Sequence, residues 1–260
     1  MFKDIARYVR FCENCIAHKT SQQRPAGKLH ATHVSAPWRQ VAIDLVGPLP
    51  RSTQGNAWLL IMQDRFSKWV EMVPLRRATA VGVIREFTRR VIYRHGCPDL
   101  VISDNGTQFT SRQIENAFKS FGVKHQTSPA YTLQCNPVER ANRTLKTMIA
   151  QYVGKKHRRW DEYIPQLQFA YNTARQAVTG YTPAFLVHGR ELRFPHPEDR
   201  PSAAPAATPE GVRHALEDAH EVVRINLARA FQHQQLRSKI KNCNNVSVCV
   251  LCIHVYCSNT

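Results

Sequence analysis

Three carboxylates stand where chemistry could be done. Asp44 lies in the middle of VAIDLVG (41–47), flanked by Ile43 and Leu45. Asp104 closes DLVISD (99–104) and leads into Asn105-Gly106, a turn pair. Glu139 falls in the first turn of a helix whose start is well marked, with Asn136 as N-cap, Pro137 at the first helical position and Glu139 at the third. An acid inside an apolar strand is costly unless it is paired or metal-bound. Strand ends and a helix start can bring three acids together; they would then repel, raising the pKa of at least one, and a divalent cation relieves this. Two Mg²⁺ ions about 3.5–4 Å apart could activate a nucleophile and stabilise the leaving oxygen of a phosphodiester displacement. Simpler readings stay open on spacing alone: Asp44 as a hydrogen-bonded strand acid, Asp104 as a turn former, Glu139 as a capping-box member. Asp64, ending WLLIMQD, reads as a turn or structural residue.

A second candidate is Cys12-Glu13-Asn14-Cys15, whose two thiolates could grip one side of a tetrahedral zinc. No further C-x-x-C or H-x₃₋₅-H pair follows at a fitting distance, and His18, His30 and His33 are unpaired in spacing. The pair therefore reads as half of a Zn²⁺ site. The chain has eight cysteines, four of them in its last 18 residues. The N-terminus has neither an h-region nor a cleavage site, so a secreted disulfide framework is not expected.

The elements that must position the acids are legible in outline. Strands are expected at 41–47, 58–64 and 69–75, the first three forming an antiparallel meander, then at 99–104 and 122–128. Helices are expected at 79–95, 110–121, 137–153 and 159–175. Val81, Ile84, Phe87, Val91 and Ile92 form the apolar face of the first, and Thr110 or Ser111 caps the second. This order implies an α/β domain: a mixed five-stranded sheet, three antiparallel strands and then strand–helix units, flanked by helices. Residues 38–195 read as that domain. Around it lie a segment at 1–20, a linker at 21–37, a Pro/Ala-rich linker at 196–209, a charged helix at 210–237, and a tail at 238–260 of different, β-prone character, expected to be disordered.

Charge indicates the partner. Lys and Arg number 36 against 19 Asp and Glu, a net charge of +17, which favours a polyanion such as nucleic acid. No apolar run is long enough to span a membrane. Residues 140–160 hold Arg140, Arg143, Lys146, Lys155, Lys156, Arg158 and Arg159 and no acid before Asp161. Glu139, Arg143 and Lys146 share a helix face, while Val138, Ala141, Leu145, Met148 or Ile149, and Tyr152 form the face turned to the sheet. Beside a carboxylate site such cations suit phosphate positioning. Lys155-Lys156-His157-Arg158-Arg159 also fits a nuclear-localisation patch.

VAIDLVGPLP, DRFSKWVEMVPL, ISDNGTQFTS, NPVERANRTLK and YNTARQAVTGYTPAFLVHGRELRFP together resemble the catalytic core of gypsy-type LTR-retrotransposon and retroviral integrases. The resemblance implies a ribonuclease H-like fold and a D…D…E triad at Asp44, Asp104 and Glu139 holding Mg²⁺ (or Mn²⁺). It also implies cleavage near the 3′ ends of element DNA followed by strand transfer into a target. Between Asp104 and Glu139 lie 34 residues, one fewer than is usual in the family. By resemblance Arg143 and Lys146 match positions that hold element-end DNA, Thr107 a target-DNA contact, and Tyr131 and Gln134 the active-site loop. KDIARYVRFCENC matches the second half of the family's N-terminal zinc domain, whose two His precede the C-x-x-C. Implied partners are double-stranded DNA and further copies of the chain, in the nucleus or cytoplasm. The alternative is a truncated or domesticated core that binds nucleic acid or a partner without catalysis.

Overall fold

The computed structural model describes residues 34–127, 138–153, 157–193 and 208–256, with side chains at all of these except 138–141, 153, 157 and 234–256. The chain divides into two compact units, 1–30 and 31–260. The first lies outside the described residues, and with it Cys12, Cys15 and the expected boundary after residue 20. Residues 21–33 of the linker expected at 21–37, and most of that at 196–209, lie outside them as well.

Five strands form one sheet: β1 (Gln40–Val46), β2 (Trp58–Asp64), β3 (Val70–Leu75), β4 (Leu100–Ser103) and β5 (Lys124–Thr127), in the order β3-β2-β1-β4-β5. β1 pairs antiparallel with β2, and β2 with β3, while β1–β4 and β4–β5 are parallel. This is the expected mixed sheet. The central strands are apolar on both faces because both are covered. Val41, Ile43, Leu60, Met62 and Val101 join one core with Phe87, Ile114 and Phe118. Ala42, Val46, Leu59, Ile61 and Ile102 join the other with Leu145, Trp160 and Leu167.

The first core is closed by α1 (Ala80–Phe87) and α2 (Arg112–Ser120). Thr79 caps α1 by accepting from Gly82 N at 3.2 Å, which sets the buried phase at Ala80, Val83, Phe87 and Val91. Val81, expected on that face, is instead 60% exposed. A wide turn at Thr88–Ile92, with Thr88 Oγ1 bonded to the Ile84 carbonyl, then shifts the helix phase. Of the two caps expected for α2, Ser111 is the one used; it accepts from Ile114 N.

The second core is closed by α3 (Val138–Val153), a tight helical segment at His157–Tyr163, and α4 (Ile164–Thr173). The single helix expected at 159–175 is broken at Arg159, whose backbone is not helical, and restarts with Pro165 in its first turn. α4 also blocks the free edge of the sheet. Asn172 Oδ1 accepts from Val70 N at 2.9 Å, Asn172 Nδ2 donates to the Val70 carbonyl at 3.0 Å, and Gln168 Oε1 accepts from Met72 N at 2.8 Å. Two amides one helical turn apart thus stand in for a sixth strand.

Asp64 is fully buried at the β2–β3 turn, where its carboxylate accepts from Trp38 N, Phe66 N, Ser67 N and Ser67 Oγ. This matches its structural reading. The last helices, α5 (Pro183–His188) and α6 (Pro209–Tyr256), pack together. Ala219 and Val223 of α6 are buried with Phe66 and Leu186, so the charged helix begins as part of the domain. It runs on to Tyr256, past residue 237, where a disordered tail was expected. No Gly or Pro lies between 212 and 256 to stop it.

Asn172→Ala should strand the Val70 N–H and carbonyl. The expected cost is about 2–3 kcal/mol, read as a lower urea midpoint at unchanged slope.

Candidate active site

β1 and β4 run parallel with Gln40 opposite Leu100, Val41 opposite Val101 and Ala42 opposite Ile102. Continued two residues, that register sets Asp44 against Asp104. Adjacent strands lie about 4.8 Å apart. Side chains alternate along a strand, so Asp44 shares the face of Ala42 and Val46, and Asp104 that of Ile102. That face is the one α3 covers. Asp104 is exposed at the strand end, where Gly106 N donates to its Oδ1 at 3.0 Å. Asp44 is half-buried, with Leu45 N donating to its Oδ1 at 2.8 Å.

Burial, and then the charge of Asp104, push the Asp44 carboxyl up from 3.8 to about 6; the Leu45 N–H, the Lys146 ammonium and the Asn142 amide act against them. The sequence reading missed Asn142. It is buried at 5% exposure, and its Nδ2 donates to Asp44 Oδ2. Leu145 is buried and Met148 and Ile149 pack partly against the sheet, so position 142 faces inward. The expected inner face ran through Ala141, whose side chain lies outside the described residues, and through Tyr152, which is 60% exposed. An Asn at a sheet-facing position, three residues after Glu139, was the available signal.

Arg143 and Lys146 are exposed on α3. Lys146 is near enough to Asp44 for its charge to act there. Thr107 is exposed in the turn after Asp104. Glu139 lies on the first turn of α3, with its side chain outside the described residues; Tyr131 and Gln134 lie outside them altogether. Among the described residues no group of three or more His, Cys, Asp or Glu could hold a metal. Asp44 and Asp104 nonetheless suit a hard divalent cation, since both offer carboxylate oxygens and their mutual repulsion is what a cation would offset.

Residues 34–132 match the integrase core domain family. They form an integrase core domain. The match takes in Asp44, Thr107 and Asp104 and stops short of Glu139. The chain is 29% identical over 196 residues to the gypsy retrotransposon integrase-like protein 1 of Rattus norvegicus, covering 74% of this chain and 38% of that protein. It is 32% identical over 193 residues to the transposon Tf2-3 polyprotein of Schizosaccharomyces pombe, covering 72% of this chain and 14% of the polyprotein. The chain therefore spans well under half the length of these relatives. Among solved structures, an integrase core of the same ribonuclease H-like fold occurs in the simian T-cell lymphotropic virus intasome bound to PP2A regulatory subunit B56 gamma. The match has a TM-score of 0.56 and 22% identity, covering 78% of this chain and 72% of that one. Among the described residues, no helix of this core is long and apolar enough to cross a membrane.

The raised pKa of Asp44 carries a stability prediction. The folded state holds this proton more tightly than the unfolded one, so stability falls as pH rises from 3.8 to about 6, and the penalty is complete above that. Asp44→Asn should thus be more stable than the parent at pH ~7.5, by about 1–2 kcal/mol after the loss of one acceptor oxygen. Below pH ~4 the gain should vanish and leave only the cost of the lost acceptor, so that the variant is no more stable than the parent. Denaturant unfolding at the two pH values reads it directly.

Proposed function

We propose that this chain carries the catalytic core of an LTR-retrotransposon-type integrase. The reaction would cut element DNA near its 3′ ends and join those ends to target DNA. The observation that carries this reading is the register of β1 and β4, which sets Asp44 against Asp104 beneath α3. Asp44, Asp104 and Glu139 would hold Mg²⁺ or Mn²⁺. When bound, the ion supplies Lewis-acid activation of the attacking oxygen and neutralises charge at the phosphate.

The chain's own residues supply placement. Asn142 engages one oxygen of Asp44 and the Leu45 N–H the other, fixing the carboxylate plane. Arg143 and Lys146 are exposed along the helix that carries Glu139 and would hold phosphates of the element end. Thr107 would meet the target strand, and Tyr131 and Gln134 would line the site from the loop before α3. Water attacks one phosphodiester, and the freed 3′-hydroxyl then attacks another. Each event is a single displacement, so no Ser, Tyr or Cys nucleophile is called for. Double-stranded DNA, both element ends and target, is the substrate, and two ends imply at least two copies of the chain.

A second reading is a domesticated core that binds DNA or a partner without cutting it. The rat relative's name, integrase-like protein, and the interval one residue short before Glu139 favour it.

Resealing of a branched oligonucleotide that mimics an integration intermediate separates the two. The first reading predicts resealing with Mg²⁺ or Mn²⁺ and none with EDTA. Asp44→Asn, Asp104→Asn and Glu139→Gln should each lower it by about 10³-fold or more while leaving DNA affinity nearly intact. A folded, DNA-binding chain that never reseals would establish the second. Lys146→Ala should reduce the slope of log affinity against log salt by about 1; an unchanged slope would make Lys146 a solvated side chain only.

A further inference from the structure

Three arginines from distant parts of the chain lie on or beside one loop. The β1–β2 connection, 47–57, is pinned to the segment that follows α3. Thr53 N donates to the Arg158 carbonyl at 2.8 Å and Trp160 Nε1 to the Pro50 carbonyl at 2.8 Å. Ser52 Oγ (2.5 Å) and Asn56 Nδ2 (2.7 Å) both donate to Asp161 Oδ2. Asp161 and Ser52 are buried, while Arg51 and Arg158, carried on the same two strands of chain, are exposed. Arg76 follows β3, and its Nε lies 3.7 Å from where a Cβ on Gly55 would stand. Among the described residues no ion pair is made by Arg51, Arg76 or Arg158, whereas neighbouring Arg159 is held by Glu162. Of the two acids that follow Arg159 in the chain, Asp161 is engaged through one oxygen by Ser52 and Asn56, and Glu162 by Arg159.

β1, β3 and β4 point the same way. The loop after β1, Arg76 after β3 and Asp104 after β4 therefore lie at one end of the sheet. Three strand spacings separate β4 from β3, about 14 Å. Arg51, seven residues beyond Asp44, can reach about 23 Å along an extended strand. At about 3.4 Å per base pair this spans roughly 4–7 base pairs from the acids. Arginine forks suit phosphate oxygens.

We propose that Arg51, Arg76 and Arg158 form a second phosphate-binding patch that holds duplex DNA about 4–7 base pairs from the scissile phosphate. The proposal rests on the integrase reading for the position of that phosphate. The loop clasp positions the patch: the Asp161 carboxylate and the Thr53–Arg158 and Trp160–Pro50 bonds together hold the two stretches of chain that carry Arg51 and Arg158.

Binding of the full chain to branched oligonucleotides tests it, with each arm shortened in turn from about 16 to about 4 base pairs. For one arm, the parent should lose affinity and salt slope once the arm falls below about 7 base pairs. Arg51→Ala/Arg158→Ala should bind the long arm with a slope lower by about 2 and be indifferent to shortening. Lys119→Ala/Lys124→Ala, an equal charge change on α2 and at the opposite end of the sheet, should keep the parent's length dependence. Loss of affinity in both double variants alike, at all arm lengths, would reduce the patch to general charge and overturn the proposal. So would an Arg51/Arg158 variant that behaves as the parent. Resealing is scored separately: arm-length-dependent binding without resealing would sink the catalytic reading and leave the patch standing.

Discussion

Two like charges held side by side are the constraint around which this domain is arranged. Parallel pairing of β1 with β4 is in register by exactly the interval that separates Asp44 from Asp104. Asp44 cannot move away without disturbing the central strand β1, and Asp104 follows directly on the end of β4. Their repulsion, added to the partial burial of Asp44, costs the fold free energy; the Asp64 carboxyl is also pushed up, but by burial alone and not by a second acid. Asp64 is the contrast. It is buried more deeply, yet four donors meet its two oxygens. Among the described residues, Asp44 accepts from the Leu45 N–H and the Asn142 amide, with Asp104 beside it and the Lys146 charge acting on it.

The remaining architecture keeps that arrangement rigid. Both faces of β1 and β2 are packed, so the strands carrying and supporting Asp44 cannot slip by one residue without turning a whole apolar set over. α3 enters from the side of Ala42 and Val46, bringing Asn142 inward and Arg143 and Lys146 outward. Gln168 and Asn172 of α4 close the far edge. Strain at the site is thus opposed by packing two strands away.

Much of this was legible in the sequence because it is periodic or punctuated. WLLIMQD and the apolar runs around Asp44 and Asp104 identify strands through hydrophobicity, and the mixed order follows from chain order. Helix phase was less legible. Val81 was placed inside because the cap at Thr79 and the wide turn at Thr88–Ile92 set the phase, and neither is a hydrophobicity signal. Asn142 was missed because a buried polar residue breaks the apolar pattern used to find the inner face. The placing of Arg51, Arg76 and Arg158 around one loop had no sequence signature, since the segments that carry residues 51 and 158 are joined by hydrogen bonds across folded chain, from Thr53 to Arg158 and from Trp160 to Pro50. The long course of α6 reflects an absence of breakers rather than amphipathic patterning.

Binding of Mn²⁺ to the folded chain, counted by electron paramagnetic resonance, tests the central claim most directly. If Asp44 and Asp104 face each other as a cation site, the parent should bind Mn²⁺ saturably and melt at a higher temperature in its presence. Asp44→Asn and Asp104→Asn, each still folded, should lose both effects. Binding that survives in either variant, or a folded parent that takes up no Mn²⁺, would contradict the account.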